Sequence, residues 1–346
     1  MKILILLIST LFIKCASQGV TCHGGHIVHM HPDGFVFPTG WTTDQPASFI
    51  KPHQDCVWSV TVPNGKVAKL QISAHMEHTL SKIQTVDAYG ISDESVQENL
   101  DPWIFVPPKF TLRLDANDVN SNNTFFSFRI TWVDLPTQTT SLKVTQGNMI
   151  VKTASDLAVT TVVSSDTGVS IVPIPSNPNN FKTLRSILVF DGPTPIDTPC
   201  ENLMIVASSG RAVSSESKYY TIINFNPTGP EDVVVIQDAR DTKDYVVYLG
   251  LACNENNKCY KTAETMNHSM IKTAYVSVSN SKDTLTSLIM DKRSQLRVYN
   301  GSITPSNLLS VFNPVEFPDM LPLTFDGYIK QYVINGYASA INITRT

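Results

Sequence analysis

The sequence predicts an all-β protein built from tandem antiparallel β-sandwich domains. Large apolar residues alternate with hydroxyl residues in Trp58-Ser59-Val60-Thr61-Val62, and a similar period of two recurs over 126–132. Asn64-Gly65 stands between two such runs, which is a strong signal for a hairpin turn. Loops rich in Pro, Asn and Gly separate the runs, and we find no long amphipathic helix. Many short strands joined by turns are typical of sandwiches.

Further strands are predicted where short apolar or alternating runs stand between turn residues. These runs cover residues 185–190, 219–225, 233–237, 245–251, 274–279, 296–299 and 329–334.

An internal repeat indicates how the strands are grouped. Val86-Asp87-Ala88-Tyr89-Gly90 recurs as Val189-Phe190-Asp191-Gly192 and as Val298-Tyr299-Asn300-Gly301. Each copy has the pattern of a strand ending in a tight turn, where glycine supplies a positive φ. Asn-Leu follows each copy, as Asn99-Leu100, Asn202-Leu203 and Asn307-Leu308.

The spacing of this repeat predicts three domains. The glycines lie 102 and then 109 residues apart, which is close to the length of one small sandwich. We place the domains at 18–136, 137–250 and 251–346. Two domains, the second of them long, are the alternative.

Residues 1–17 have the pattern of a secretory signal peptide. Lys2 precedes an apolar run over 3–13, and the small residues Cys15-Ala16-Ser17 follow. The run is shorter than the roughly 20 apolar residues that span a bilayer, and no later segment is long and apolar enough to do so. We therefore expect cleavage after Ser17 and a secreted, extracellular protein with no membrane span. A buried strand or helix of the mature fold is the alternative for this segment.

The charge balance argues against a nucleic-acid partner. Loss of Lys2 and Lys14 with the signal peptide moves the formal net charge from −4 to −6. Only 16% of the residues are charged, and the charges are scattered rather than gathered into a basic patch.

Four Asn-x-Ser/Thr sequons behind a signal peptide predict a glycoprotein with these positions on loops or strand edges. They are Asn122, Asn267, Asn300 and Asn342.

Several motifs of residues 22–135 resemble the CUB-like domains of secreted nematode proteins. The motifs are an opening Cys22, then Cys56-Val57-Trp58, then the turn Pro63-Asn64-Gly65, and a closing Phe-x-Phe-x-Ile-x-Trp strand over 126–132. The resemblance is weaker over 141–250 and weakest over 251–346. It implies about ten strands per domain and a Cys22–Cys56 disulfide. It also implies a binding role, often in innate responses to microbes, without a defined biochemical activity.

The sequence departs from CUB domains in ways that bear on ligands. The usual second cysteine pair is missing from the first copy. Calcium-binding CUB domains use several acidic residues, and only Asp87 lies near a matching place. We therefore predict no calcium and no cofactor.

The other cysteines leave their pairing open. Cys253 and Cys259 flank a short polar loop, so a local disulfide across a hairpin is predicted. Cys200 is then left over, as a free buried thiol or as the link of a disulfide-bonded dimer. A Cys200–Cys253 or Cys200–Cys259 bridge is the alternative.

No catalytic motif is visible, so we predict a protein that is not an enzyme. His29 and His31 could share one face of a strand near His23 and His26 and bind zinc or copper, but solvated histidines are the favoured interpretation.

Trp58 and Trp132 follow the strand alternation and are predicted in the core. Trp41 and Trp103 lie in predicted loops, where they would either contact a ligand or pack over the sandwich ends.

These observations favour a secreted binding protein with an unknown protein or glycan ligand, acting in host defence. A structural or adhesive matrix component, linked through Cys200, is the second hypothesis. A metal-binding factor that uses the histidine cluster is the third.

Overall fold

The structure is a computed structural model, and it describes residues 19–27, 34–77, 81–116, 123–196, 198–227, 231–264, 271–313, 320–336 and 338–346. The predicted signal peptide lies outside these ranges. Among the described residues, no helix has the length and apolar character needed to cross a membrane. The backbone groups into two compact units: the first covers 1–61, 72–100 and 109–130, and the second covers 62–71, 101–108 and 131–346.

The first pair of sheets is formed by ten described strands. They are β1 Gly25–Ile27, β2 Phe35–Phe37, β3 Gln54–Thr61, β4 Lys66–Met76, β5 Lys82–Val86, β6 Ser92–Ser95, β7 Gln97–Asn99, β8 Trp103–Phe105, β9 Lys109–Ala116 and β10 Thr124–Asp134. One sheet has the order β1-β3-β9-β5-β6, and the other has the order β2-β10-β4-β7, with β8 also paired to β4.

The second pair of sheets follows β10 in the chain. Its strands are β11 Thr139–Lys143, β12 Met149–Thr153, β13 Thr160–Ser164, β14 Val169–Ile174, β15 Ile187–Asp191, β16 Thr198–Asn202, β17 Val213–Ser214, β18 Tyr219–Asn224 and β19 Val233–Asp238. The helix α1 covers Leu203–Ser209, and short 3₁₀ helices cover Ser155–Leu157, Lys182–Ser186 and Ala239–Asp241. The strand orders are β11-β13-β18-β15-β16 and β12-β19-β14-β17.

The third pair of sheets ends the chain. Its strands are β20 Val247–Gly250, β21 Lys258–Glu264, β22 Ile271–Val278, β23 Asp283–Met290, β24 Gln295–Asn300, β25 Leu308–Phe312, β26 Leu323–Phe325, β27 Ile329–Gly336 and β28 Ala338–Arg345. A 3₁₀ helix covers Pro305–Asn307. The strand orders are β20-β22-β27-β24-β25 and β21-β28-β23-β26.

The same strand order therefore occurs three times. One sheet of each pair has a parallel edge, where its first strand lies beside a strand two places later in the chain: β1–β3, β11–β13 and β20–β22. The other strand pairs whose register the structure describes are antiparallel, which confirms the predicted all-β class with antiparallel sheets. The seven additional strands predicted from the sequence correspond to β15, β18, β19, β20, β22, β24 and β27.

Strand alternation places the cores between the sheets. In β9 the even-numbered residues Phe110, Leu112, Leu114 and Ala116 are all buried, as a period of two requires. Trp58 is buried too, and its ring lies 5.0 Å from that of Phe128 and 5.3 Å from that of Phe37. Trp132 is only partly buried, because it lies near the end of β10.

The second and third sheet pairs share apolar contacts within the second unit. Val172, Val235, Tyr248 and Ala274 belong to one buried cluster. Gly250 explains the close approach of the backbones there, because a Cβ at this position would lie 2.6 Å from the Pro173 carbonyl oxygen. The division into three domains stays a prediction.

Candidate functional site: an acidic pocket in the second sheet pair

The repeated strand–turn motif leads to a pocket in its second copy. In all three copies the motif ends the strand that lies fourth in its five-stranded sheet: β5, β15 and β24. Gly90 and Gly301 adopt the expected left-handed φ values of 84° and 86°. The Asn-Leu pairs are placed differently in the three copies. Asn99 ends β7 and Asn202 ends β16, but β7 lies in the sheet with β2, whereas β16 pairs with the motif strand β15. In the third copy, Leu308 begins β25.

Asp191 ends β15 and holds a neighbouring turn. Its Oδ2 accepts the backbone N–H of Glu216 at 2.6 Å, and its Oδ1 accepts that of Ser217 at 3.1 Å. The Thr221 hydroxyl donates to the Gly192 carbonyl at 2.8 Å and fixes the other side of the strand end. In the first copy, Asp87 instead accepts the N–H groups of Tyr89 and Ile91 and closes its own turn.

The helix α1 supplies part of the pocket floor. It begins at Asn202, whose side chain accepts the Ile205 N–H at 3.2 Å, and it ends at Gly210 with a φ of 66°. This short helix directs Val206 into the core of the second sheet pair.

The pocket has a volume of about 240 Å³, an apolar floor and an acidic rim. Ile171, Val189 and Val206 form the floor, and each is at most 4% exposed. The rim carries three carboxylates from three different elements: Asp191 of β15, Glu201 of β16 and Glu216 of the turn before β18. Glu201 and Glu216 are exposed, whereas Asp191 is half-buried.

No cation neutralises this rim within the described part of the chain. None of the described lining residues is basic, and none of the three carboxylates forms an ion pair with a described residue. Three uncompensated negative charges at the mouth of a cavity favour a positively charged occupant.

Tyr220 of β18 completes the pocket. The residue is only 4% exposed, it lines the cavity, and its hydroxyl has no hydrogen-bond partner among the described residues. Burial, followed by the charges of the three carboxylates, raises the pKa of Tyr220 far above its usual range, so the hydroxyl stays neutral. Because Tyr220 lines the cavity, a ligand there could hydrogen-bond to this hydroxyl in place of water.

Trp41 and Trp103, which the sequence singled out as possible binding residues, are both buried. Trp41 is 5% exposed, and its Nε1 donates to the Pro46 carbonyl at 3.1 Å. Trp103 lies in β8 rather than in a loop and is 3% exposed. Within the second unit the Arg185 guanidinium lies 3.8 Å from the centre of the Trp103 ring, so this side chain is used in packing.

His29 and His31, for which solvated histidines were favoured over a zinc or copper site, lie outside the described residues. His23 and His26 are exposed, and His26 Nε2 lies 3.3 Å from the Thr61 hydroxyl. No group of three or more His, Cys, Asp or Glu residues suited to a metal ion occurs in the described ranges.

The structure contains both disulfides that the sequence predicts, Cys22–Cys56 and Cys253–Cys259. The Cα atoms are 6.1 Å apart in the first and 4.1 Å apart in the second. The bridge between Cys253 and Cys259 leaves Cys200 outside both pairs. Cys200 belongs to β16, but its side chain is outside the described part of the structure.

Two of the four sequons can be placed. Asn300 is exposed at the end of β24, as expected for a strand end. Asn342 was expected on a loop or a strand edge, but it lies within β28, which pairs with β21 on one side and with β23 on the other. It is nevertheless partly accessible, since alternation turns Ile341 and Ile343 into the core and leaves Asn342 half-buried. Asn122 and Asn267 lie outside the described residues.

Comparisons with protein families agree with the resemblance of the first domain. Residues 17–136 match the model of the CUB-like domain. Residues 143–225 match a domain of unknown function (DUF7592), and residues 240–346 match another (DUF7591). The fold and these matches define an all-β protein with an N-terminal CUB-like domain. A nematode origin is not shown. No curated protein matches this chain in sequence.

Several solved structures show remote similarity. The CUB1-EGF-CUB2 domains of rat MASP-1 align at 10% identity over 62% of this chain and 100% of that chain, with a TM-score of 0.24. The corresponding domains of human MASP-1/3 align at 10% identity over 60% and 96%, with a TM-score of 0.23. The extracellular region of zebrafish Gpr126/Adgrg6 aligns at 8% identity over 93% and 52%, with a TM-score of 0.27. TM-scores this low establish neither a shared fold nor a shared function.

Proposed function

We propose that this chain is a secreted, non-enzymatic glycoprotein of three sandwich domains that binds a positively charged ligand in the acidic pocket of its second sheet pair. The observation that carries the proposal is the uncompensated rim of Asp191, Glu201 and Glu216 beside the unpartnered Tyr220 hydroxyl. A CUB-like domain is typical of extracellular binding modules, and disulfides are typical of exported proteins. The resemblance to nematode CUB-like proteins extends the proposal to defence against microbes.

The pocket offers binding rather than catalysis. Its described lining contains three carboxylates, the neutral Tyr220 phenol, the Ser214 hydroxyl and aliphatic side chains, among them Val213 on the floor. None of these described residues is a thiol, histidine or lysine, so the Ser214 hydroxyl has no histidine or lysine base beside it in this lining. Because Asp191 is held by two backbone N–H groups, the rim keeps its shape before a ligand arrives.

Neutralising the rim is expected to abolish binding of small cations. The variant Glu201→Gln with Glu216→Gln removes two of the three charges while keeping the side-chain volumes. The probes are n-hexylammonium, n-hexylguanidinium, n-hexyltrimethylammonium and neutral 1-hexanol, titrated calorimetrically. We expect at least one cation to bind the wild-type protein, and its affinity to fall at least tenfold in the variant.

The matched control removes two carboxylates elsewhere. Asp44→Asn with Asp244→Asn changes the net charge by the same amount at exposed positions outside the pocket. This variant should bind as the wild-type protein does. Equal losses in the two variants, or no binding of any cation, would show that the pocket is not the site.

Secretion and glycosylation are tested separately. Expression in eukaryotic cells should release a protein that starts at Gln18 and loses mass on treatment with an N-glycosidase. Asn300→Gln and Asn342→Gln should each reduce the mass by one glycan. A protein retained in the cells with an intact N-terminus would contradict the extracellular assignment.

A further inference from the structure

We infer that the ligand of the acidic pocket is a free primary amine with an apolar tail, bound with the tail inward and the ammonium group at the rim. This inference rests on the proposed function and specifies its ligand. Its basis is the order of the lining groups with depth, the geometry of the acceptors and the space on the apolar floor.

The depths at which the charged and apolar side chains lie in the pocket determine the orientation of the bound ligand. Glu201 and Glu216 are exposed, whereas Ile171, Val189 and Val206 are at most 4% exposed. Charge is therefore held at the mouth, and hydrocarbon is held below it. A lysine side chain of a partner protein would enter with its ammonium first and place that charge among aliphatic side chains, which is unfavourable. A free amine can enter with its tail first and leave its charge at the rim.

The acceptor geometry favours ammonium over guanidinium. Asp191 uses both carboxylate oxygens to accept backbone N–H groups, so it does not offer a free edge for the planar fork of a guanidinium. The remaining acceptors come from separate elements: Glu201 from β16, the Ser214 hydroxyl from β17, Glu216 from the turn and the Tyr220 hydroxyl from β18. An ammonium group has three divergent N–H donors, which suit acceptors that converge from different directions.

The neutral Tyr220 hydroxyl fits this assignment. Its raised pKa keeps the proton on the oxygen, while a lone pair remains free to accept from the ammonium. A quaternary ammonium has no N–H donor and cannot form this bond. The floor also has room for a short alkyl or aryl tail, because the cavity of about 240 Å³ is far larger than one water molecule.

The first test varies the tail. Calorimetric titration of the full chain with ethyl-, butyl- and hexylammonium should give an affinity that rises about fourfold for each added methylene until the floor is filled. Nα-acetyl-lysine methylamide and hexyltrimethylammonium should bind at least tenfold more weakly than hexylammonium. Affinity that is independent of the tail, or equal affinity for the lysine amide, would overturn the inference.

The second test varies the pocket. Tyr220→Phe keeps the ring and removes the hydroxyl, and it should weaken hexylammonium binding about tenfold. Tyr219→Phe is the matched control, because Tyr219 is 40% exposed and does not line the pocket. Val213→Phe should fill the floor and remove the dependence on tail length, and an unchanged melting temperature would show that the variant is folded. An unchanged affinity in Tyr220→Phe would overturn the assigned role of the hydroxyl.

The two proposals can fail separately. If a cation binds and is lost in the Glu201 and Glu216 variant, but the tail has no effect, the acidic pocket remains the site and the amine class is wrong. If no cation binds at all, the proposed function itself is wrong.

Discussion

Asp283→Asn is expected to lower the free energy of unfolding by about 3–5 kcal/mol, because it leaves buried cations without their anion. Asp283 and Lys330 have fully buried side chains, and the Lys330 Nζ lies 3.3 Å from the Asp283 Oδ1. The Arg345 Nε lies 3.7 Å from the same oxygen, with its side chain 17% exposed. Asparagine keeps the volume of the side chain but cannot balance these charges.

The rest of the network shows why this site is sensitive. The Lys330 ammonium donates to the Ser281 carbonyl at 2.6 Å, and the Tyr332 hydroxyl donates to Asp283 Oδ2 at 3.3 Å. Burial lowers the pKa of Arg345, since a buried cation is poorly solvated. Lys330→Met should therefore cost less than Asp283→Asn, because Asp283 would still face Arg345.

Hydrogen exchange of the β22 and β27 amides in urea is the appropriate measurement. The four tryptophans, Trp41, Trp58, Trp103 and Trp132, all precede the third sheet pair, so their fluorescence does not report on it directly. The matched control is Asp326→Asn, which breaks an exposed pair. Asp326 lies 3.4 Å from Lys282, and the two side chains are 74% and 58% exposed. The control should cost no more than about 1 kcal/mol. Equal costs for the two variants would contradict the role of burial.

Removing the Cys22–Cys56 disulfide is the second large effect that we expect. Replacing both cysteines by serine should lower the free energy of unfolding by about 4 kcal/mol, because the bridge closes a long loop in the unfolded chain. The two cysteines are separated by 34 positions, and both are at least 95% buried. Trp58 lies two residues after Cys56 and is 2% exposed. Its fluorescence in urea therefore reports on this unfolding.

The Cys253–Cys259 disulfide provides an internal comparison. Its cysteines are only 6 positions apart, so the same replacement should cost about 2 kcal/mol. A larger effect at Cys253 and Cys259 than at Cys22 and Cys56 would show that loop entropy does not govern these bridges.

Local patterns in the sequence predicted the strands well. Alternation in β3 and β10, and the glycines Gly90 and Gly301, are properties of neighbouring residues, so they can be recognised without a structure. The parallel pairs β1–β3, β11–β13 and β20–β22 were not predicted, because pairing between distant strands leaves no local pattern. The sequence left open whether Trp103 contacts a ligand or packs against the protein, because its contact with Arg185 joins residues that are distant in sequence.

The pocket was only partly visible in the sequence. Asp191 belongs to the repeat that the sequence revealed, and Glu201 directly precedes its Asn202-Leu203 pair. That repeat was the signal that could have led to the site. Glu216 and Tyr220 belong to no motif. They join the pocket because Asp191 binds the turn at 216–217 and because β18 pairs beside β15, and both contacts are long-range.

The shared turn position has a consequence for how such a chain can diversify. Three equivalent strand ends carry Asp87, Asp191 and Asn300, which respectively close a local turn, anchor a neighbouring turn beside a cavity and begin a sequon. The strand order is the same around each of them, so the three side chains occupy corresponding places in their sheets. A strand order that occurs three times thus provides three copies of the same strand-end position, and each copy can carry a different side chain with a different role. Exchanging these side chains between the copies would reveal how much of each task belongs to the residue and how much to its surroundings.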